Sequence, residues 1–214
     1  MRSPDGRMAA PAQDCPHCPR LVDLRREVAG RYPDYHAAPV PAFGATDARL
    51  LIVGLAPGMH GANATGRPFT GDYAGELLYR TLHDFGFADR PQSRHRDDGL
   101  TLLDCRITNA VKCLPPGNKP TGGEVNACNP FLAAELRAPT LLLALGGVAH
   151  RAVVRALGLR QKDWPFGHAA EHRLPDDRVL LDSYHCSRYN TQTRRLTEPM
   201  FRAVFARARA ILES

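Results

Sequence analysis

Four of the six cysteines fall into two pairs suited to metal chemistry. Cys15 and Cys18 form a C-x-x-C in Asp14-Cys15-Pro16-His17-Cys18-Pro19, and fourteen residues separate Cys113 from Cys128 far downstream. Four thiolates from two distant segments suit tetrahedral zinc or an iron–sulfur cluster. Zinc sites more often use two close pairs, so the wide second spacing and the prolines soon after the cysteines lean toward a cubane cluster. A free buried thiol is the ordinary state of an isolated cysteine. That reading stays open for Cys105 and Cys186, which have no close partner in sequence.

Other chemistry-bearing residues stand at the ends of apolar runs. Gly54-Leu55-Ala56-Pro57-Gly58 turns tightly after Leu50-Leu51-Ile52-Val53, and Gly61, Gly66 and Gly71 follow. Such a loop lets backbone N–H groups approach an anion, but without G-K-[ST] it is not a P-loop. Phe69 stiffens its middle; the ring either stacks on a planar base or packs into the core. Asp72 closes the loop before a helical pattern, either as an N-cap or as a carboxylate that orients water. Asn109, in Ile107-Thr108-Asn109-Ala110-Val111, offers a donor and an acceptor to a base edge, or caps a turn. His185, in Ser183-Tyr184-His185-Cys186-Ser187-Arg188, is one of nine histidines, and a single histidine is more often structural than catalytic.

These residues need a scaffold. Apolar runs at 50–54, 102–108, 141–145 and 179–184 read as buried strands. Helical patterns cover 21–31, the region of Leu77, Leu78, Leu82 and Phe85, residues 148–157, and a last helix from Thr197 with Pro199 in its first turn. Residues 122–137 read as two helical pieces, with Asn129 as a cap and Pro130 in a first turn. Residues 88–99 read as a solvated charged loop, and 164–176 as irregular or hairpin-like. Alternating strands and helices predict an α/β fold: a single-domain three-layer sandwich around a central, mostly parallel four-stranded sheet, spanning residues 1–214. Ligands in such folds sit at the carboxyl ends of the strands. The loop after the first strand, Asn109 after the second and His185 after the fourth would then share one rim.

Length and composition fit one domain with a sizeable core. Residues 1–18 read as an extended N-terminus leading into the first cysteines, polar and Pro/Ala-rich and unlike a secretory signal. No apolar run approaches a membrane span. A reducing, cytoplasmic location follows, favouring metal over disulfide. The formal charge of +6 suggests a polyanionic partner, and from His185 onward six Arg face two Glu.

Together these segments resemble the iron–sulfur branch of the uracil-DNA glycosylase superfamily, specifically family 5 (type b). The resemblance runs from Cys15 to about Thr197. It rests on Gly54-Leu55-Ala56-Pro57-Gly58 with Thr65-Gly66-Arg67-Pro68-Phe69-Thr70-Gly71-Asp72, on Ile107-Thr108-Asn109-Ala110-Val111-Lys112-Cys113, and on Ser183-Tyr184-His185-Cys186-Ser187-Arg188-Tyr189-Asn190-Thr191. It implies a [4Fe–4S] cluster on Cys15, Cys18, Cys113 and Cys128, and Asp72, Asn109 and His185 as catalytic residues. Gly54, Ala56, Gly58 and Phe69 would join Asn109 and His185 in binding substrate. Ala56 stands where family 4 enzymes carry an acid; alanine cannot activate water, and Asp72 is the branch's proposed substitute. Cys186 replaces the proline common after the motif histidine, and Tyr189 stands where glutamine is frequent.

The implied activity is base-excision repair: hydrolysis of the N-glycosidic bond of uracil, and of other deaminated or damaged bases, in double-stranded DNA by a monomer. Ser187, Arg188, Arg194 and Arg195 would contact the DNA. The same cysteines also permit an iron–sulfur redox or electron-transfer protein, which would release no base. A non-catalytic DNA-binding module with a zinc clip would bind without turnover.

Overall fold

A computed structural model describes residues 10–214. The expectation for the extended N-terminus falls partly outside them, on residues 1–9. Residues 10–18 carry Cys15 and Cys18 in turns, with no helix or strand, and lead directly into α1 (Pro19–Arg31).

The four apolar runs become β2 (Leu50–Gly54), β3 (Cys105–Asn109), β4 (Leu141–Leu145) and β6 (Val179–Ser183), all parallel to one another. The sheet has six strands rather than four. The short β1 (Phe43–Gly44) and β5 (Glu171–Arg173) add antiparallel edges, giving the order β1-β3-β2-β4-β6-β5. Neither edge is an apolar run, so periodicity does not reveal them; each exists through its ladder to a buried strand. The third strand begins at Cys105, not at 102. Asp104 takes a left-handed backbone (φ 52°) and its carboxylate accepts from Arg49 N and Nε at 2.7 Å, ending the extended run before it.

Strand alternation divides the core between the two faces. Leu50, Ile52, Leu141, Leu143 and Leu181 pack with α3 (Tyr73–Asp84) and α7 (Glu198–Glu213). Leu51, Val53, Leu142, Ala144 and Leu180 pack with α4 (Gly122–Glu135) and α5 (Gly147–Ala156). Helices therefore cover both faces of a mixed sheet. Two short helices, α2 (Ala62–Thr65) and α6 (Arg188–Gln192), lie in the loops after β2 and β6.

Helix α4 corrects the expectation of two pieces. It begins at Thr121 with a reciprocal capping box to Glu124 and runs through Pro130 without a break. Asn129 caps nothing; its buried amide donates to Ala152 O at 2.9 Å, joining α4 to α5. The 88–99 loop is also more than solvated surface. Arg67, 5 % exposed, donates to Ser93 Oγ at 3.0 Å, Asp98 Oδ1 at 2.7 Å and Arg96 O, fastening this loop to the one that carries Phe69. Burial would raise the Asp98 pKa, but Arg67 and the N–H groups of Leu100 and Arg94 outweigh it and hold the carboxyl well below the usual range. No described helix is long and apolar enough to cross a membrane.

Candidate active site

The chain leaves β2 toward β3 on one side and later adds β4 and β6 on the other, so the order reverses between β2 and β4. A cavity of about 580 Å³ opens at the carboxyl ends of those strands. A crevice at this switch point is where open α/β sheets bind ligands. Ala56, Gly58, Phe69, Asp72, Asn109, His185, Ser187, Arg188 and Arg195 all border it. Gly54 lies behind the wall instead. A Cβ there would come within 2.4 Å of Asn109 Oδ1 and 2.6 Å of Phe69 Cζ, so the bare backbone lets these two side chains converge.

Phe69 holds a left-handed backbone, φ 53°, which is strained for a residue with a Cβ. Its surroundings fix it there. Tyr79 Oη donates to Pro68 O at 2.8 Å, and Arg67 is clasped by Ser93 and Asp98. The ring stacks against the His185 imidazole at 5.8 Å between centroids, 26° from parallel. The two form one aromatic wall. Asn109, the last residue of β3, is 3 % exposed, and its side chain makes no protein hydrogen bond among the described residues. The amide therefore keeps its full donor and acceptor capacity for something in the cavity.

Asp72 turns its two carboxylate oxygens to different neighbours. Its Oδ1 accepts from Gly75 N at 2.9 Å and caps α3. Its Oδ2 turns toward the glycine loop, where a Cβ on Gly61 would come within 2.4 Å of it. Desolvation raises the Asp72 pKa against the opposing backbone hydrogen bonds. His185 shifts the other way: burial lowers its pKa to about 4, so the imidazole is neutral at neutral pH. Asn190 Nδ2 donates to His185 O at 2.8 Å and braces the backbone that carries it.

Ser187 caps α6, accepting from Asn190 N at 3.4 Å, and also faces the cavity. The C-terminal basic excess resolves unevenly. On α7, Arg202 pairs with Asp84, Arg207 with Glu171 at 2.7 Å, and Arg209 donates to Phe85 O. Arg188, Arg194 and Arg195 are exposed and form no salt bridge among the described residues. Arg195 lies over the Tyr184 ring at 4.7 Å and Arg188 lies 6.0 Å from the Tyr73 ring, whereas Arg194 stands outside the cavity lining. Sequence reasoning passed over Tyr73, Phe166 and Tyr184 in the wall. Only Tyr184 carried a signal, as the residue before the motif histidine.

Cys15, Cys18, Cys113 and Cys128 line one small apolar cavity with Leu21, Val22 and Phe131. Burial pushes the Cys18 thiol up to about 11 and the Cys113 thiol to about 12, and the neighbouring sulfurs add to this. Holding four thiolates there needs a cationic core. Lys112 N donates to Cys128 Sγ at 3.5 Å, and Arg25 Nη1 approaches Cys113 Sγ at 4.0 Å. Cys105 and Cys186 are buried apart from this group, in the core under α3 and α7. Cys186 Sγ donates to Ala74 O at 3.5 Å.

The switch-point cavity, the glycine loop and the Asn and His at strand ends accord with a family-model match to the uracil DNA glycosylase superfamily over residues 41–209, and the chain belongs to that superfamily. Within it the similarity is to type-5 enzymes. A type-5 uracil-DNA glycosylase of Thermus thermophilus is 47 % identical, covering 92 % of this chain and 93 % of the relative. Type-5 enzymes of Mycobacterium leprae and Pyrobaculum aerophilum are 44 % and 42 % identical, each over 92 % of this chain and over 91 % and 88 % of their own length.

Proposed function

We propose that this chain hydrolyses the N-glycosidic bond of uracil in double-stranded DNA, leaving an abasic site for base-excision repair. The free Asn109 amide, beside the Phe69–His185 wall and the Asp72 carboxylate, carries this reading. Uracil release from a uracil-containing duplex tests it.

The bond lies inside the duplex, so the nucleotide must be flipped out. This costs a few kcal/mol, least at mispaired or damaged positions. The extruded base lies along Phe69, and Asn109 pairs with its Watson–Crick edge. As the bond breaks, its electrons move to the base and the sugar becomes oxocarbenium-like. Neutral His185 donates a hydrogen bond to the base oxygen where negative charge grows. Asp72 Oδ2 orients water toward the anomeric carbon and takes its proton, while Oδ1 keeps the helix capped. Ala56 contributes only space. Without an acid at that position, catalysis relies on Asp72 together with leaving-group stabilisation, and a cavity of about 580 Å³ accommodates other deaminated or damaged bases as well.

Cys15, Cys18, Cys113 and Cys128, gathered in one small buried cavity, would hold a [4Fe–4S] cluster, in keeping with the C-x-x-C and the wide second spacing. When bound, such a cluster supplies structural bracing rather than a redox step. Cys15 and Cys18 would tie the N-terminal loop to Cys113 and Cys128, beside the β3 end that holds Asn109. Cys113→Ser should yield protein without the yellow-brown colour and with poor solubility, whereas Cys105→Ser should retain about four irons per chain by metal analysis.

We place the protein in the cytoplasm, acting as a single-domain monomer. Ser187, Arg188 and Arg195 face the DNA at the cavity mouth, with the exposed Arg194 beside them outside its lining. Each phosphate-contacting arginine releases counterions, so Arg188→Ala should lower the log–log salt slope of abasic-DNA binding by about one. The Arg194/Arg195 double alanine should lower it further. Unchanged slopes in both would move the interface to the arginines of the 88–99 loop.

A further inference from the structure

A second group of ligand-type side chains lies outside the base cavity, on the α5 face of the sheet. His150 on α5, His172 on β5 and Asp182 on β6 place their ligating atoms within 4.8 Å of one another. His150 Nδ1 is 2.8 Å from Asp182 Oδ1, and His172 Nε2 is 3.4 Å from Asp182 Oδ2. The first two side chains are fully buried, and His172, on the edge strand, is 13 % exposed.

The hydrogen bonds around these atoms point to a cation. His150 Nε2 lies 2.8 Å from Trp164 O. A carbonyl only accepts, so this nitrogen carries a hydrogen. Metal-binding imidazoles usually donate their outer N–H in this way, which turns the other nitrogen toward the ion. Here the other nitrogen lies at hydrogen-bond distance, 2.8 Å, from Asp182 Oδ1, a gap filled either by a proton or by an ion. Asp182 Oδ2 and His172 Nε2 are both buried and have no hydrogen-bond partner among the described residues. A carboxylate buried between two imidazoles needs positive charge beside it. Two nitrogens and one carboxylate suit zinc and related divalent transition ions; calcium and magnesium prefer oxygen ligands.

We propose that His150 Nδ1, His172 Nε2 and the Asp182 carboxylate bind a divalent transition-metal ion, zinc by chemical class, as a structural staple separate from the cysteine site. The ion would fasten edge strand β5 and helix α5 to β6, three residues before His185. A proton held on the histidines is the competing source of charge, and the test separates the two.

Purified full-length protein is dialysed against chelator and titrated with Co²⁺, with metal content, visible spectrum and Tm recorded. The proposal expects about one equivalent bound with ligand-field bands, no sulfur-to-metal charge-transfer band, and a rise in Tm. His172→Gln should weaken this binding more than tenfold and abolish the Tm rise. Asp182→Asn serves as the second variant should the first fold poorly. Wild-type protein that takes up cobalt only with a thiolate band, or not at all, overturns the proposal and leaves a hydrogen-bonded imidazolium. Uptake unchanged in both variants overturns it as well.

Discussion

Replacing His185 by alanine is expected to slow single-turnover uracil release by about ten- to a thousandfold while changing duplex affinity little. The imidazole sits at the end of β6, stacked on Phe69, with its backbone held by Asn190. In the proposed mechanism it faces the departing base, not the phosphate backbone, so its loss should fall on the chemical step. Its pKa of about 4 adds a second expectation. The histidine stays neutral throughout the working range, so no loss of rate from its protonation should appear between pH 6 and 8. Single-turnover rates across that range check both points. A histidine titration near pH 6.5 that vanishes in His185→Ala would show an imidazole less buried than the structure places it.

Asp72→Asn is expected to reduce the rate by about a hundred- to ten-thousandfold with little effect on stability. Asparagine caps helices as well as aspartate does, so the Oδ1 bond to Gly75 N survives, and only the ionisable oxygen beside Gly61 is lost. Asp72→Ala should lose the cap too, costing about 1 kcal/mol of stability besides activity. In the proposed mechanism the carboxylate is the working form, and burial raises its pKa. Activity should therefore fall on acidification through a midpoint above the ordinary carboxylate value of about 3.9. The asparagine variant should lack that limb. Full single-turnover activity in Asp72→Asn would reduce the residue to a helix cap.

The parallel core was legible because each strand is a short apolar run ending in a loop, and Leu141–Leu145 matches its expected bounds at both ends. Edge strand β1 was not, since Phe43-Gly44 owes its conformation to β3 far along the chain, whereas Glu171-His172-Arg173 folds back on β6 across a short turn, within the stretch read as irregular or hairpin-like. Pro130 read as a helix start; inside α4 it is carried by a helix already capped at Thr121 and anchored through Asn129 to α5. For the site, local motifs announced Phe69, Asp72, Asn109 and His185. They did not reveal that Asp72 Oδ1 caps α3 while Oδ2 faces Gly61, because that depends on how Gly61 approaches α3. Nor did they reveal the Arg67–Asp98 pair or the His150–His172–Asp182 group, whose members are far apart in sequence and meet only once the chain is folded.

The central claim is that base release occurs in the switch-point cavity. It is tested most directly by incubating purified protein, and the Asn109→Ala and His185→Ala variants, with a labelled duplex holding one uracil, followed by alkaline cleavage of abasic sites. The account predicts strand scission at the uracil with wild-type protein, weakened base selection for Asn109→Ala and slowed scission for His185→Ala. Duplex binding without scission by wild-type protein, or scission undiminished in both variants, would contradict it.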